Sequence, residues 1–306
     1  MRLRIWGTRG SLAAPGPETL RYGGNTSCTE VRASKGSMLV LDAGTGIRQL
    51  AKRFPPDLRR VDILLTHFHL DHIQGLGFFS PLFRTDIEVH IWAPAPEEDE
   101  LRAHLTRYLS PPFFPVQLDS LPCSLHLHPV PCVDAELGEA RVTASTVCHP
   151  GATVGYRIQD ADGTVLTFIP DHEPALGALR LPVSQPSPEI LLACGADLLI
   201  HDCQYTETEY ALRRGWGHST YAHAFEFAAR AEVRRLMTYH HDPDHRDQDI
   251  DAMLAQEIER RRPPFAVTPG IEGAMFNLAH RPRRASSARK RPAGPVPQAD
   301  ENARAS

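Results

Sequence analysis

The chain has 306 residues, 42% hydrophobic and 23% charged, with a net charge of -4. That composition can build a sizeable core, and it excludes a general electrostatic attraction to nucleic acid or a membrane surface. No stretch approaches the ~20 uninterrupted apolar residues of a bilayer span, and the N-terminal MRLRIWGTRGS lacks the apolar region of a secretory signal, so no membrane partner and a cytoplasmic location are expected. The six cysteines include no CxxC pair. Reduced thiols fit that pattern better than a disulfide framework or a cysteine zinc knuckle.

Strand and helix patterns alternate along the chain. Strands are expected at residues 3–6, 37–44 and 61–67 and around 88–94, each rich in aliphatic or β-branched residues. A helix with an acidic first turn is expected over 97–109. SPPFFPV at 110–116 reads as an insertion that covers a site, joins two copies or packs into the core. Three strands follow at 140–149, 153–160 and 164–171, the last two joined by the turn DADG. A strand at 196–202, a helix at 219–231 behind a Ser or Thr cap, a strand at 233–241, a helix at 247–261 stopped by Pro263 and Pro264, and a strand at 270–279 complete the pattern. YGGNTSC at 22–28 reads as a glycine turn with Asn25 as its cap. From residue 281 to 306 the chain is basic and rich in Pro and Ala, without large apolar residues. Such a tail cannot offset its ordering entropy and is expected to be disordered, leaving residues 1–280 as the folded domain.

The expected strands repeatedly end in a carboxylate or an imidazole: Asp42, His67, His149, Asp171, Asp202 and His240. Active sites of α/β proteins gather at such ends. The densest stretch, LLTHFHLDHIQGL at 64–76, sets three histidines and an aspartate after an apolar run. Leaving these groups buried without partners would cost about 1–3 kcal/mol each. His67 and His69, two apart, can face the same way, and Asp71 and His72 follow on the turn into a helix beginning near Ile73. Imidazoles with a carboxylate form a ligand set that zinc accepts at about 2.0–2.2 Å. His149, Asp171 and His240 supply further ligands from three other strand ends.

THFHLDH resembles the HxHxDH motif of the metallo-β-lactamase superfamily, and CHPG, IPDHE and YHHDP follow in that family's order. The resemblance covers residues 1–280. It implies an α/β fold, a four-layer αββα sandwich with two mixed sheets between helices, and a cofactor of two divalent metal ions, zinc in the first place and manganese as the alternative. One ion would be held by His67, His69 and His149, and the other by Asp71, His72 and His240, with Asp171 bridging. His241 adjoins His240 and is the alternative last ligand. Asp42 matches the family's early aspartate, which orients ligands from behind. His69 stands where flavo-di-iron members carry Glu, which disfavours iron redox chemistry. Asp171 stands where many β-lactamases carry Cys, and a carboxylate there suits phosphoester or thioester hydrolysis.

GTRGS, YGGNTSC, HDCQY, GWGHST and HHDP together resemble the ribonuclease Z-like branch, in particular its small cyclic-nucleotide phosphodiesterases of the anti-Pycsar type. The resemblance implies catalytic roles for His218 and Asp71, with Asp202 orienting His218. It suggests substrate contacts from Asn25, Ser27 and Arg9, although Asn25 and Ser27 could instead brace the metal loop. A small phosphodiester substrate, a homodimer and no stable nucleic-acid binding are expected. The alternatives are a tRNA 3′-processing endoribonuclease, a thioesterase or lactonase on the same metals, and an inactive metal-stabilised binding module. Full ribonuclease Z enzymes carry a long arm after the third ligand motif, whereas here 22 positions separate His149 from Asp171, and the later Pro-rich segment at 174–189 is nearly uncharged, without the clustered Lys and Arg of a phosphate-tracking surface.

Overall fold

The computed structural model describes residues 1–130 and 134–280. The tail expected to be disordered, 281–306, lies outside the described residues. The first half of the chain lays down strands β1 (Arg2–Gly7), β2 (Cys28–Arg32), β3 (Met38–Leu41), β4 (Arg60–Leu64), β5 (Glu88–Ala93) and β6 (Ser124–Pro129), with helices α1 (Ile47–Ala51), α2 (Leu70–Ile73) and α3 (Glu98–Tyr108). The second half adds β7 (Asp134–Leu137), β8 (Ala140–Thr146), β9 (Val154–Gln159), β10 (Val165–Ile169), β11 (Leu198–Asp202), β12 (Arg235–Tyr239), β13 (Ala266–Pro269) and β14 (Met275–Asn277), with helices α4 (Pro188–Ala193), α5 (Glu207–Arg213), α6 (Tyr221–Arg230) and α7 (Asp247–Arg261).

These strands form two mixed sheets, ordered β14-β1-β2-β3-β4-β5-β6 and β13-β12-β11-β10-β9-β8-β7. In the first, β3 to β6 run parallel and the rest pair antiparallel. The second repeats that division, with β10 to β13 parallel. Strand alternation explains the layers. In β3, Met38 and Val40 join an outer core with Leu50 of α1 and Leu101 of α3, while Leu39 and Leu41 face inward. There they meet Ile158, Phe168, Ile200 and Met237 of the second sheet. A third core lies between that sheet and the helices bearing Ile190, Phe225 and Leu254. Helix, sheet, sheet and helix therefore stack in four layers, as expected.

The local chemistry accounts for several element ends. Thr220 caps α6 by accepting from the His223 backbone, which fits the expected Ser or Thr cap. Helix α7 spans the expected 247–261 and ends at Arg262, in the left-handed region at φ 44°, before the two prolines. YGGNTSC is only partly a turn, because its Cys28 already begins β2. In SPPFFPV, Phe114 packs edge-on against Phe78 while Phe113 is exposed, so the insertion is divided between packing and surface. No described helix is long and apolar enough to cross a membrane.

Candidate metal centre

The parallel strands of both sheets direct their C-terminal ends to one region. His67 follows β4, Asp171 follows β10, Asp202 ends β11, His240 follows β12, and His149 comes three residues after β8. α2 begins immediately after His69 and carries Asp71 and His72. His67, His69, His149 and Asp171 each place a donor atom within 4.8 Å of the others, and Asp71, His72 and His240 form an adjoining group on the same criterion. Asp171 joins the two. Its Oδ2 lies 3.7 Å from Nε2 of both His67 and His149, and its Oδ1 lies 3.0 Å from His72 Nε2 and 3.2 Å from His240 Nε2. Asp71 Oδ2 sits 3.2 and 3.1 Å from the same His72 and His240 nitrogens.

Four of these rings are fixed from behind, while His69 turns its Nδ1 to the centre, 3.2 Å from His149 Nε2. His72 Nδ1 is 2.7 Å from Asp42, His149 Nδ1 is 2.8 Å from the Gly217 carbonyl, and His240 Nδ1 is 2.9 Å from Gln204 Oε1. His67 Nδ1 is 3.1 Å from Thr66 Oγ1, which in turn bonds Asp42. Each acceptor holds the Nδ1–H tautomer and turns the Nε2 lone pair toward the shared centre. This is how proteins orient metal-binding histidines. His67 Nε2 and Asp171 Oδ1 are buried and lack any hydrogen bond. Two further Nε2 atoms crowd Asp171 Oδ1 without hydrogen-bond geometry, as donors converging on one centre do. Buried polar atoms left unpaired are costly, and a dinuclear divalent metal site fits this donor set.

Backbone strain is concentrated at the same place. Asp42 and His240 have φ of 58° and 59°, a region that non-glycine residues rarely occupy. Asp42 is held by Ser27, by the Thr66 backbone and hydroxyl, and by His72. Gly10 passes directly beneath His240, where an added Cβ would come within 2.3 Å of Nδ1.

The electrostatics follow from burial and charge. Burial drives His149 down to about 4 and holds His67 well below the ordinary imidazole range. Burial also opposes the Asp171 charge, but His240, His72 and His67 outweigh it and keep this carboxylate well below its usual range. His218 lies beside the centre, its ring stacked 4.9 Å from His240. Its Nδ1 is 2.8 Å from Asp202 Oδ2. Burial opposes protonation, yet the Asp202 carboxylate prevails and lifts His218 to about 8.

The expected metal and catalytic residues therefore come together, whereas the expected substrate contacts do not. Arg9 requires correction: it is 0% exposed, and its guanidinium donates to the carbonyls of Gly23, Asp242 and His245. Its own backbone pairs with His241, so the guanidinium is spent on structure rather than presented to a ligand. Asn25 is also corrected. Its amide donates to Glu272 at 2.6 Å, in a cleft of about 520 Å³ beside Trp6 rather than among the metal-site histidines. Ser27 is buried and donates to Asp42 at 2.8 Å, so it braces the metal loop and does not face substrate. His241 turns away, with Nε2 3.1 Å from the Gly270 carbonyl. Burial and the Arg9 charge lower it to about 3, and His240 occupies the centre instead.

Three supporting residues had no assigned role in the sequence. Gln204 bonds His240, Ser11 and Asp242 together. Glu173 accepts from the backbones of Gly215 and Gly217 and so positions the loop before His218. The Ser11 backbone donates to Asp71 at 2.8 Å. Gln204 and Glu173 lie in the quoted HDCQY and IPDHE motifs, and that position was the only signal.

Residues 38–241 match the beta-lactamase superfamily domain. A ribonuclease Z from Natronomonas pharaonis is 26% identical over 281 residues, covering 78% of this chain and 86% of the relative. Among solved structures, a diphosphatase from the PhnP family superposes with a TM-score of 0.64 at 18% identity, covering 90% of this chain and 97% of that one. The short form of human tRNase Z also superposes with a TM-score of 0.64 at 18% identity, covering 92% and 100%. With the family match running from before Asp42 to beyond His240, and so spanning the whole histidine and aspartate cluster, the chain belongs to the beta-lactamase superfamily.

Proposed function

We propose that the chain is a dinuclear-metal phosphodiesterase that hydrolyses a small phosphodiester, with cyclic nucleotides as the substrate class. The observation that carries this is the pairing of His218 with Asp202 at the edge of the histidine and aspartate cluster. Two divalent ions held by His67, His69 and His149 and by Asp71, His72 and His240, with Asp171 between them, would supply Lewis-acid polarisation and a water nucleophile active near neutral pH. Zinc suits the donors, and manganese is the alternative.

The remaining chemistry belongs to the chain. Asp202 holds the His218 Nδ1 proton and leaves Nε2 as the free ring nitrogen. From there His218 donates a proton to the departing ribose oxygen, a contribution of about 10²–10⁴ in rate. Glu173 fixes the turn at Gly215 and Gly217, and Trp216 between them is exposed. An exposed indole two positions before His218 in the chain suits stacking on a nucleobase.

The N. pharaonis relative and the human structure favour a second substrate, the 3′ end of a tRNA precursor. The described chain between His149 and Asp171 holds only β9, β10 and their turn, which supports the smaller substrate. The test is hydrolysis of 3′,5′-cyclic mononucleotides against a tRNA precursor by one preparation. Turnover of a cyclic nucleotide with the precursor intact supports the proposal. Cleavage of the precursor with cyclic nucleotides untouched replaces it with the tRNA alternative.

A further inference from the structure

A second group of ligand-type side chains lies on the first sheet, away from that centre. β5 and β6 run parallel in register, with His90 opposite His126 and Trp92 opposite His128. Val89, Ile91 and Ala93 belong to the outer core, so alternation places Glu88, His90 and Trp92 on the other face. The strands read Glu-x-His and His-x-His, a compact block of donors at the edge of the sheet. One donor atom from each of Glu88, His90 and His126 lies within 4.8 Å of the others. Glu88 Oε2 is 3.5 Å from His90 Nε2.

The buried member of the group is held from behind. His90 Nδ1 and His128 Nε2 are 2.9 Å apart. His128 is stacked 3.9 Å from Trp92, and the Trp92 indole donates to Asp62. Asp62 in turn is gripped by both arms of Arg60. This chain fixes the His90 ring and leaves its Nε2 toward Glu88, the same device that orients rings in the main centre. His90 is stacked 4.5 Å from His126 and 5.1 Å from His128, ring centre to ring centre, which gathers three imidazoles in one place.

We propose that Glu88, His90 and His126 form a separate mononuclear site for a borderline divalent transition ion such as zinc, nickel or copper, with His128 as the outer partner of His90. Two imidazoles and one carboxylate with a position left for water match the preferences of these ions. Bonds of about 2.0–2.2 Å require the donors to close to about 3.4 Å from one another. Glu88 and His126 are exposed, so their side chains can make that adjustment while His90 stays in place, with His126 Nε2 keeping or giving up its 3.0 Å contact with Ser124 Oγ according to which ring nitrogen binds. The ion would tie edge strand β6 to β5 and takes no part in hydrolysis.

The experiment is zinc binding at equilibrium to the full chain, with bound metal measured per chain. The wild type is expected to hold one more equivalent than the double variant Glu88→Gln/His126→Ala. A His69→Ala/Asp71→Ala variant, crippled at the main centre, is expected to retain that equivalent, and copper added to it should give an electron paramagnetic resonance signal with two nitrogen ligands. Because the difference between variants is what is read, failure of the dinuclear proposal does not touch this one. Equal zinc in the wild type and the Glu88→Gln/His126→Ala variant would overturn it, as would a copper signal unchanged by adding those two substitutions.

Discussion

Replacing Gly10 by Ala tests whether His240 is a metal ligand held in one position. The new Cβ would sit 2.3 Å from His240 Nδ1 and 2.4 Å from Cε1, whereas atoms at rest in a packed interior sit about 3.5–4.0 Å apart. One of the two must move by about 1 Å. The imidazole has little freedom, because it is stacked between His72 and His218, bonded to Gln204 and carried on a left-handed backbone. Overpacking of this kind costs about 1–3 kcal/mol, which leaves most of the protein folded. Metal–ligand bonds tolerate only about 0.2 Å, and a misplacement of about 1 Å at a reacting centre costs about 10²-fold in rate. Gly10→Ala is therefore expected to stay folded by circular dichroism, to lose the ion shared by Asp71, His72 and His240, and to hydrolyse bis(p-nitrophenyl) phosphate at least about 10²-fold more slowly. A folded variant with full metal content and an unchanged rate would refute the placement of His240.

Gln204→Ala removes the acceptor that fixes the His240 tautomer, and a loss of about 10–100-fold in metal affinity or activity is expected, read by titration with a competing chelator. Unaltered affinity would show that Gln204 only fills space. His218→Ala should retain its metal and lose about 10²–10⁴ in kcat; an undiminished kcat would remove His218 from the proton transfer. Arg9→Ala leaves the buried carbonyls of Asp242 and His245 and the partly buried one of Gly23 without their charged donor, each such bond being worth about 1.5–3 kcal/mol. A large drop in urea stability is expected, with KM unchanged for the folded fraction, whereas a raised KM with full stability would restore Arg9 as a phosphate contact.

The parts of the site visible in the sequence are those whose chemistry is local. HxHxDH crowds its polar groups into one strand end, where only a ligand or another polar partner accounts for their burial. His149, Asp171 and His240 were readable because each closes an apolar run and because their order matches a family pattern. Gln204 and Glu173 were not, since their role depends on which loop a distant strand end meets. Arg9 was misjudged for the same reason: nothing in GTRGS shows that its guanidinium turns inward onto the carbonyls of Gly23, Asp242 and His245. β6 escaped notice because, as an edge strand, it fully buries only Leu127, and SLHLHP shows no apolar run. β2 was hidden behind turn residues, with Thr29 and Glu30 interrupting its apolar pattern.

The most direct test of the central claim measures metal content and phosphodiester hydrolysis on one purified sample, before and after chelation. Two divalent ions per chain at the histidine and aspartate cluster, counted in the Glu88→Gln/His126→Ala background, are expected, together with cleavage that chelator abolishes and added zinc or manganese restores. Two ions with no cleavage of any phosphodiester would contradict the phosphodiesterase assignment, and cleavage that survives complete removal of metal would contradict the role given to His67, His69, Asp71, His72, His149, Asp171 and His240.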